Sequence, residues 1–410
     1  MEKVYVIGVG MTRFGKFLDR SIKDLTAEAV HAALADAGCE PSAMEAAWFG
    51  NACQGRMTGQ DMIRGEIALR SIGVSGIQVV NVENACATAS TAFVSAFQFL
   101  RGGLGEVVLA VGAEKMFSED RAKSNSLFDG GWDVETPERK RELLLALAQG
   151  VEIPEGTTSP RWYSPFMDIY ASWARFHMRE FGTTQEQIAA VSAKNHAHSV
   201  ENPLAQYRNP YTIEEVLAAP PITFPLTLPM CAPISDGAAA AILCTENALA
   251  RFGSARAIEI RAAILRSGTD RDAKDLEHHI ARRTARAAYE LAGVGPKDVS
   301  VAEVHDATAM GEIIEIEMLG LAPIGEGGPT SLRGETKIGG RIPVNPSGGL
   351  ESKGHPIGAT GLGQIHELVT QLRGEAGRRQ VQGAKVAIAE NGGGVHGIEE
   401  AACCVSVLTR

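Results

Sequence analysis

The sequence predicts an α/β fold in which one unit occurs twice. Short apolar runs (VYVIGVG, EVVLAVG, KVAIAENGGG) alternate with longer Ala/Leu-rich stretches, the pattern of strands interleaved with helices. A helix–turn–strand segment also recurs: ALADAGCEPSAMEAAWFGNA at 33–52 matches AAYELAGVGPKDVSVAEVHDA at 287–307. Gly38 and Gly293, Pro41 and Pro296, and Asn51 and Asp306 are each 255 positions apart, so the register persists through helix, turn and strand. Two looser parallels follow at larger offsets. VNVENAC before Cys86 resembles PVNPSGG before Leu350, and LAVGA near 111 resembles AIAENGGG near 391.

The repeat sets the domain organisation: a first half over 1–250 and a second over 251–410. In the first half, Ser21-x-x-Asp24 reads as a capping box that opens a helix, and Gly38 ends it. Residues 115–235 break the repeat. They carry three of the four Trp, four of the six Tyr and many Pro, with few strand-like runs. This stretch is expected to be a loop-and-helix insertion that either shapes a substrate pocket or serves as a packing cap or subunit contact.

Composition narrows the function classes. A formal net charge of −10 without a Lys/Arg block argues against a nucleic-acid partner. Seven cysteines without a CxxC pair point to free thiols in a reducing compartment. No apolar run approaches the length of a membrane span, and the N-terminus begins as a strand, without the pattern of a signal peptide. The cytoplasm is the expected location.

Four segments carry chemistry. In QVVNVENACATASTAFVSAFQFLRGG a strand leads into Cys86 and an apolar helix follows, so the thiol is expected at a helix N-terminus with its pKa lowered below about 8.5. A buried structural cysteine is the competing reading. In VNPSGGLESKGHPIGATGLGQIHEL five glycines and two prolines shape a loop around His355, suited to a general base; a phosphate cradle is the rival. AEVHDATAMGEI places His305 and Asp306 at the end of an apolar strand, where the active sites of α/β sheets gather. VAIAENGGGVHG ends another strand in glycines whose N–H groups can form an oxyanion hole.

Together NACATAS, SDGAAAAIL, HDAT, NPSGGLESKGHPIGATG and the terminal GGG resemble the thiolase superfamily, and within it the sterol-carrier-protein type. The resemblance runs nearly the whole length and implies a five-layered αβαβα core, a homodimer or dimer of dimers, and coenzyme A as co-substrate, with no metal. It implies that His355 deprotonates Cys86, which attacks a 3-oxoacyl-CoA and carries the acyl group. The N–H groups of Cys86 and Gly392 would hold the oxyanion and His305 the enolate oxygen. Ser235, Gly354 and Gly393 would contact substrate or CoA.

The pattern breaks at the second cysteine that most thiolases use on the α-carbon. Glu390 stands at its usual place and Ala307 at its alternative place in the sterol-carrier type. Glu390 is therefore the candidate acid/base, its competing role being to hydrogen-bond loop backbone. Relatives with such departures, benzoylsuccinyl-CoA thiolases and steroid side-chain aldolases, work with a small zinc-ribbon/OB-fold subunit. The expected reaction is thiolysis, or the reverse condensation, of a bulky, branched or aromatic 3-oxoacyl-CoA resembling 2-benzoylsuccinyl-CoA. A retro-aldol lyase and a non-catalytic acyl- or lipid-binding subunit are the alternatives.

Overall fold

The structure, a computed structural model, describes residues 2–410; Met1 of the predicted first half lies outside the described residues. Nine strands share one sheet. The first strands of the two halves, Val4–Met11 and Ile258–Ser267, meet antiparallel in its middle, where Tyr5 faces Glu259 and Val6 faces Ile258. Outward from that join both halves repeat one order. Gly237–Thr245 and Ala402–Thr409 come next, then Val107–Glu114 and Val386–Gly393, then Ala46–Gly50 and Val301–Glu303. Gln78–Val82 completes the first half in parallel with Ala46–Gly50, whereas the second half has a single parallel bridge, Ala302 to Val344, at that place.

The repeat read in the sequence is the repeat of the fold. Helices Ile22–Ala37 and Ile280–Ala292 both end on a left-handed glycine, Gly38 (φ 66°) and Gly293 (φ 70°). Only glycine takes that cap without steric cost. Pro41 and Pro296 then open matching 3₁₀ turns, and the strands begin at Ala46 and Val301. Ser21 and Asp24 form the expected reciprocal capping box.

Alternation along the strands builds the layers, because successive side chains point to opposite faces. Val108 and Ala110 face one apolar cluster while Leu109 and Val111 face another. The inner cluster draws on strands of both halves and on two helices, Thr88–Arg101 and Thr360–Arg373. The outer face of the first half is covered by Ile22–Ala37, and that of the second by Ile280–Ala292 and Ala309–Met318. This is the αβαβα order.

The insertion leaves the first half between Val107–Glu114 and Gly237–Thr245; the matching connection in the second half is the short hairpin 394–401. It has a core of its own, in which Ile169, Trp173 and Ile188 pack against Met310, Ile313 and Leu350 of the second half. The insertion thus lies over the end of the sheet where Cys86, His305 and His355 emerge.

The two central helices touch at their N-terminal ends. A Cβ on Gly361 would lie 1.8 Å from Ser90 Oγ and 2.7 Å from the Ser90 backbone nitrogen. We expect Gly361→Ala to destabilise the fold by at least the ~1–3 kcal/mol typical of overpacking. Because backbone as well as hydroxyl is in the way, adding Ser90→Ala restores only part of the loss. Denaturant unfolding of the single and double variants measures both, and a Gly361→Ala chain as stable as the parent contradicts the close crossing.

Candidate active site

Cys86 is delivered by a strained turn. Strand Gln78–Val82 ends, Ala85 adopts a left-handed φ of 47°, and a 3₁₀ turn, Ala85–Ala87, runs into helix Thr88–Arg101. The corresponding position of the second half is Gly349 (φ 62°), which takes this conformation freely. Thr88 Oγ1 closes the turn, accepting from Asn84 N at 2.9 Å and donating to Ala85 O at 2.6 Å. Gly393 passes so close that a Cβ there would lie 2.2 Å from Asn84 O and 2.6 Å from Ala87 N. The glycine run is therefore required for the end of strand Val386–Gly393 to cross the Cys86 turn.

His355 Nε2 lies 3.3 Å from Cys86 Sγ. Its other ring nitrogen, Nδ1, is 2.7 Å from Thr360 Oγ1, whose single hydroxyl proton is given to Pro356 O at 3.0 Å. Thr360 can then only accept from the ring, so Nδ1 carries the proton and the Nε2 lone pair faces the thiol. The loop is pinned from behind, because Ser235 Oγ accepts from His355 N at 2.9 Å and donates to Gln206 at 2.6 Å. Gly354 (φ 115°) leaves room for that hydroxyl, since its Cβ would lie 2.9 Å from Ser235 Oγ. Ser235 and Gly354, expected to contact substrate or CoA, hold the His355 loop and are not among the residues lining the cavity.

His305 has the opposite tautomer. Ser90 Oγ donates to Asn391 Oδ1 at 2.8 Å, which turns the Asn391 amide nitrogen towards His305 Nδ1, also at 2.8 Å. Nδ1 accepts, so Nε2–H points into the site as a donor. The two imidazoles meet edge to face with centroids 5.3 Å apart. Burial holds His305 down at about 3, and burial, then the neighbouring His305 and Lys353, hold His355 well below its ordinary value. Both rings are neutral at neutral pH. Asp306 of the same loop is structural: it accepts from Leu350 N at 2.7 Å and from Asn195 Nδ2 at 3.0 Å, tying the His305 loop to the segment before His355.

The thiol differs from its sequence expectation. Cys86 is half-buried at the cavity wall, and desolvation by the surrounding protein pushes it up to about 12, with Glu83 and Glu114 adding to the rise, while the N–H groups of Gly394 and Cys86 itself oppose it. The helix proper starts only at Thr88, and its N-terminal field is outweighed by desolvation. The resting pair is therefore thiol and neutral imidazole. The N–H that reaches the thiol is that of Gly394; Gly392, the expected oxyanion donor, lines the same cavity.

Glu390 is not among the cavity-lining residues. It accepts from His305 N at 2.9 Å and from Cys403 Sγ at 3.5 Å. Side-chain alternation explains this placement: Ala387 and Ala389 face the central helices, Ile388 faces the outer layer, and Glu390 shares the face of Ile388. Glu114 is a second buried anchor. Its carboxylate takes N–H groups from Ala52, Cys53 and Gly358, joining the first half to the His355 loop.

Cys86, His305, His355 and the three glycines 392–394 line a cavity of about 610 Å³. The insertion supplies an aromatic wall through Phe128, Trp162, Phe166, Tyr170 and Trp173, several of them in edge or tilted contact. Arg56 and Arg64 bring positive charge to the same cavity. Glu400, unmarked by any sequence motif, also lines it, and its only signal is an acidic pair placed just before the last apolar strand. Cys86, His305 and His355 bring ligand-type atoms within 4.8 Å of one another. Because His305 offers an N–H there and no lone pair, the trio suits acyl chemistry better than a metal ion.

Comparison with known proteins gives the following. The model described as "Thiolase, N-terminal domain" matches residues 4–217, and "Thiolase C-terminal domain-like" matches 265–406. Sterol carrier protein 2 of Homo sapiens is 40% identical over 401 residues, covering 95% of this chain and 70% of that protein. An acetyl-CoA acetyltransferase of Methanothermobacter thermautotrophicus is 39% identical, covering 97% and 98%. Benzoylsuccinyl-CoA thiolase subunit BbsB of Thauera aromatica is 33% identical, covering 93% and 92%. Among solved structures, the Ltp2-ChsH2(DUF35) aldolase superposes with a TM-score of 0.78 at 24% identity, covering 99% of this chain and 97% of that one.

Burial raises Glu390 from its ordinary 4.5 to about 8. The folded chain thus keeps a proton that the unfolded chain releases near 4.5. This contribution to stability is complete below that value and is lost as pH rises through about 8. Glu390→Gln keeps an acceptor for His305 N–H and has no proton to lose. Its melting temperature should fall less steeply than that of the parent between about pH 5 and 9, and equal slopes place the titration elsewhere.

Proposed function

The chain belongs to the thiolase family, and we propose that this CoA-dependent acyltransferase cleaves a 3-oxoacyl-CoA with a bulky, branched or aromatic acyl group, or forms one by the reverse condensation. The observation that carries this reading is the 3.3 Å contact between Cys86 Sγ and a His355 Nε2 whose lone pair is freed by Thr360. With the thiol held neutral, proton transfer to His355 accompanies attack on the 3-oxo carbonyl and does not precede it. The N–H groups of Cys86 and Gly394 face the charge that develops on the acyl oxygen. His305 Nε2–H faces the enolate oxygen of the departing CoA ester, the harder charge to stabilise.

The size of the cavity and its aromatic wall support a bulky acyl group, and Arg56 and Arg64 suit a carboxylate or phosphate on the substrate. The likeness to BbsB points the same way. An acyl-cysteine mechanism also separates this reading from a retro-aldol lyase or a lipid-binding subunit, neither of which needs the Cys86–His355 pair.

We place the dimer contact on edge strand Gln78–Val82, which pairs on one side only and leaves Val79, Val80 and Val82 partly covered. A small zinc-ribbon/OB-fold subunit is the proposed partner; BbsB is named as a subunit, and the aldolase name joins two components. Among the described residues no helix is long and apolar enough to cross a membrane, and we place the enzyme in the cytoplasm.

Intact-protein mass spectrometry after mixing with an acyl-CoA tests the mechanism. The expected result is one acyl adduct, lost in Cys86→Ala and formed at least ~100-fold more slowly in His355→Asn. Cleavage by Cys86→Ala without free CoA would instead establish the retro-aldol reaction. For the assembly, light scattering should give a multiple of the 43.4 kDa chain mass, and a monomer removes the edge-strand contact.

A further inference from the structure

The thiolase reaction needs a group that gives a proton to, or takes one from, the α-carbon of the CoA ester. Glu390 faces away from the cavity, so the position implied by the sequence does not provide one. Glu400 is inside. It is only 6% exposed, its Oε2 has no hydrogen-bond partner, and it lines the same cavity as Cys86, His305 and His355. A buried carboxyl oxygen left without a partner costs stability, so one carried by a residue that lines a substrate cavity points to a function.

Its placement is specific. The Glu400 side chain lies across Gly392: a Cβ there would sit 2.7 Å from Glu400 Cγ and 3.4 Å from Oε1. Gly392 therefore has a second reason to be glycine, which is to admit this carboxyl. The hairpin carrying Glu400 is pinned on both sides. Val395 N donates to Gly131 O at 2.9 Å, and Trp173 Nε1 donates to Ile398 O at 3.0 Å. The neighbouring Glu399 is turned the other way, accepting from Arg271 Nε at 2.5 Å and Thr269 N at 2.8 Å. Of the acidic pair, Glu399 anchors the hairpin, while Glu400 keeps one carboxyl oxygen without a partner.

We infer that Glu400 is the acid/base for the α-carbon in this enzyme, standing in for the second cysteine of other thiolases. The inference rests on the acyl-cysteine reading above. In cleavage, Cys86 gives its proton to His355 and its sulfur bonds to the 3-oxo carbon. The bond between that carbon and the α-carbon breaks, and its electron pair becomes the enolate of the CoA ester, hydrogen-bonded by His305 Nε2–H. Glu400, protonated, gives its proton to the α-carbon and is left as carboxylate. It then takes the thiol proton of the incoming CoA, which attacks the acyl group. Cys86 leaves and recovers its proton from the His355 imidazolium. Cys86, His355 and Glu400 all end as they began.

The surroundings suit a group that must work in both forms. Burial, with the charge of Glu399 adding to it, raises Glu400 to about 7, opposed by its own backbone N–H and by Arg271. Glu390 on the adjoining strand, Cys403 on the last strand, Glu315 on helix Ala309–Met318 and Tyr170 of the insertion are further titratable neighbours; each is itself raised, chiefly by burial. Arg271 is the cation that acts on Glu400, and its guanidinium is engaged by Glu399.

Exchange of the α-hydrogens of an acyl-CoA with deuterated water isolates this step. Glu400→Gln should fold with unchanged melting behaviour yet lose α-deuterium exchange and thiolysis by ~10²–10⁴-fold, and acylation of Cys86 by an acyl-CoA, the reverse of the step in which Glu400 takes the CoA proton, should slow as well. Glu400→Asp should recover part of the exchange. Parent-level exchange by Glu400→Gln, or loss of exchange in Glu390→Gln alone, overturns the assignment. Failure of the parent protein to form any acyl adduct overturns the acyl-cysteine reading instead, and this inference with it.

Discussion

One contact governs the rest: Cys86 Sγ against His355 Nε2, 3.3 Å apart and 269 residues apart in the chain. Neither half contains both groups, so the fold must hold its two copies in fixed register to a fraction of an ångström. It does so with close approaches and buried polar ties. Gly361 lets the central helices meet at Ser90, Glu114 takes N–H groups from both halves, and Ser235 fixes the His355 backbone. Each of these groups is buried and used, and together they make the site rigid before substrate arrives.

The second constraint is electrostatic. The site is built from groups that burial keeps uncharged: a thiol, two imidazoles with opposite tautomers, and carboxyls raised towards neutrality or beyond it. In such a setting the fixed N–H groups of Cys86, Gly394 and His305 are, in the proposed mechanism, the main response to charge as it develops. A low local dielectric makes them count for more than they would in water. His305 and His355 differ only in which nitrogen carries the proton, and that difference is set by Asn391 and Thr360. One ring is thereby a donor and the other a base.

Much of this was legible in the sequence where local chemistry dictates conformation. Gly38 and Gly293 announce left-handed caps, Pro41 and Pro296 announce turns, and alternation announces the strands. The layers follow from which faces are apolar. What one dimension hides is depth and facing. The position of Cys86 before a helix suggested a lowered pKa, but burial is a property of the assembled core and it reverses the sign. Glu390 aligned with a catalytic position, yet strand alternation sends its side chain behind His305. Glu400 had no motif because its importance comes from a hairpin folding over Gly392. Ser235 and Gly354, read as substrate contacts, lie behind the His355 loop, where Ser235 accepts from His355 N.

The most direct measurement of the central claim is the ultraviolet absorbance of the Cys86 thiolate, taken as the difference between the parent protein and Cys86→Ala across a pH series. A neutral thiol–imidazole pair predicts no Cys86-dependent thiolate signal near about pH 7, with the signal emerging only in strongly alkaline solution. A signal already present at neutral pH and abolished by His355→Asn would show a preformed thiolate–imidazolium pair, contradicting the account of a half-buried, uncharged nucleophile.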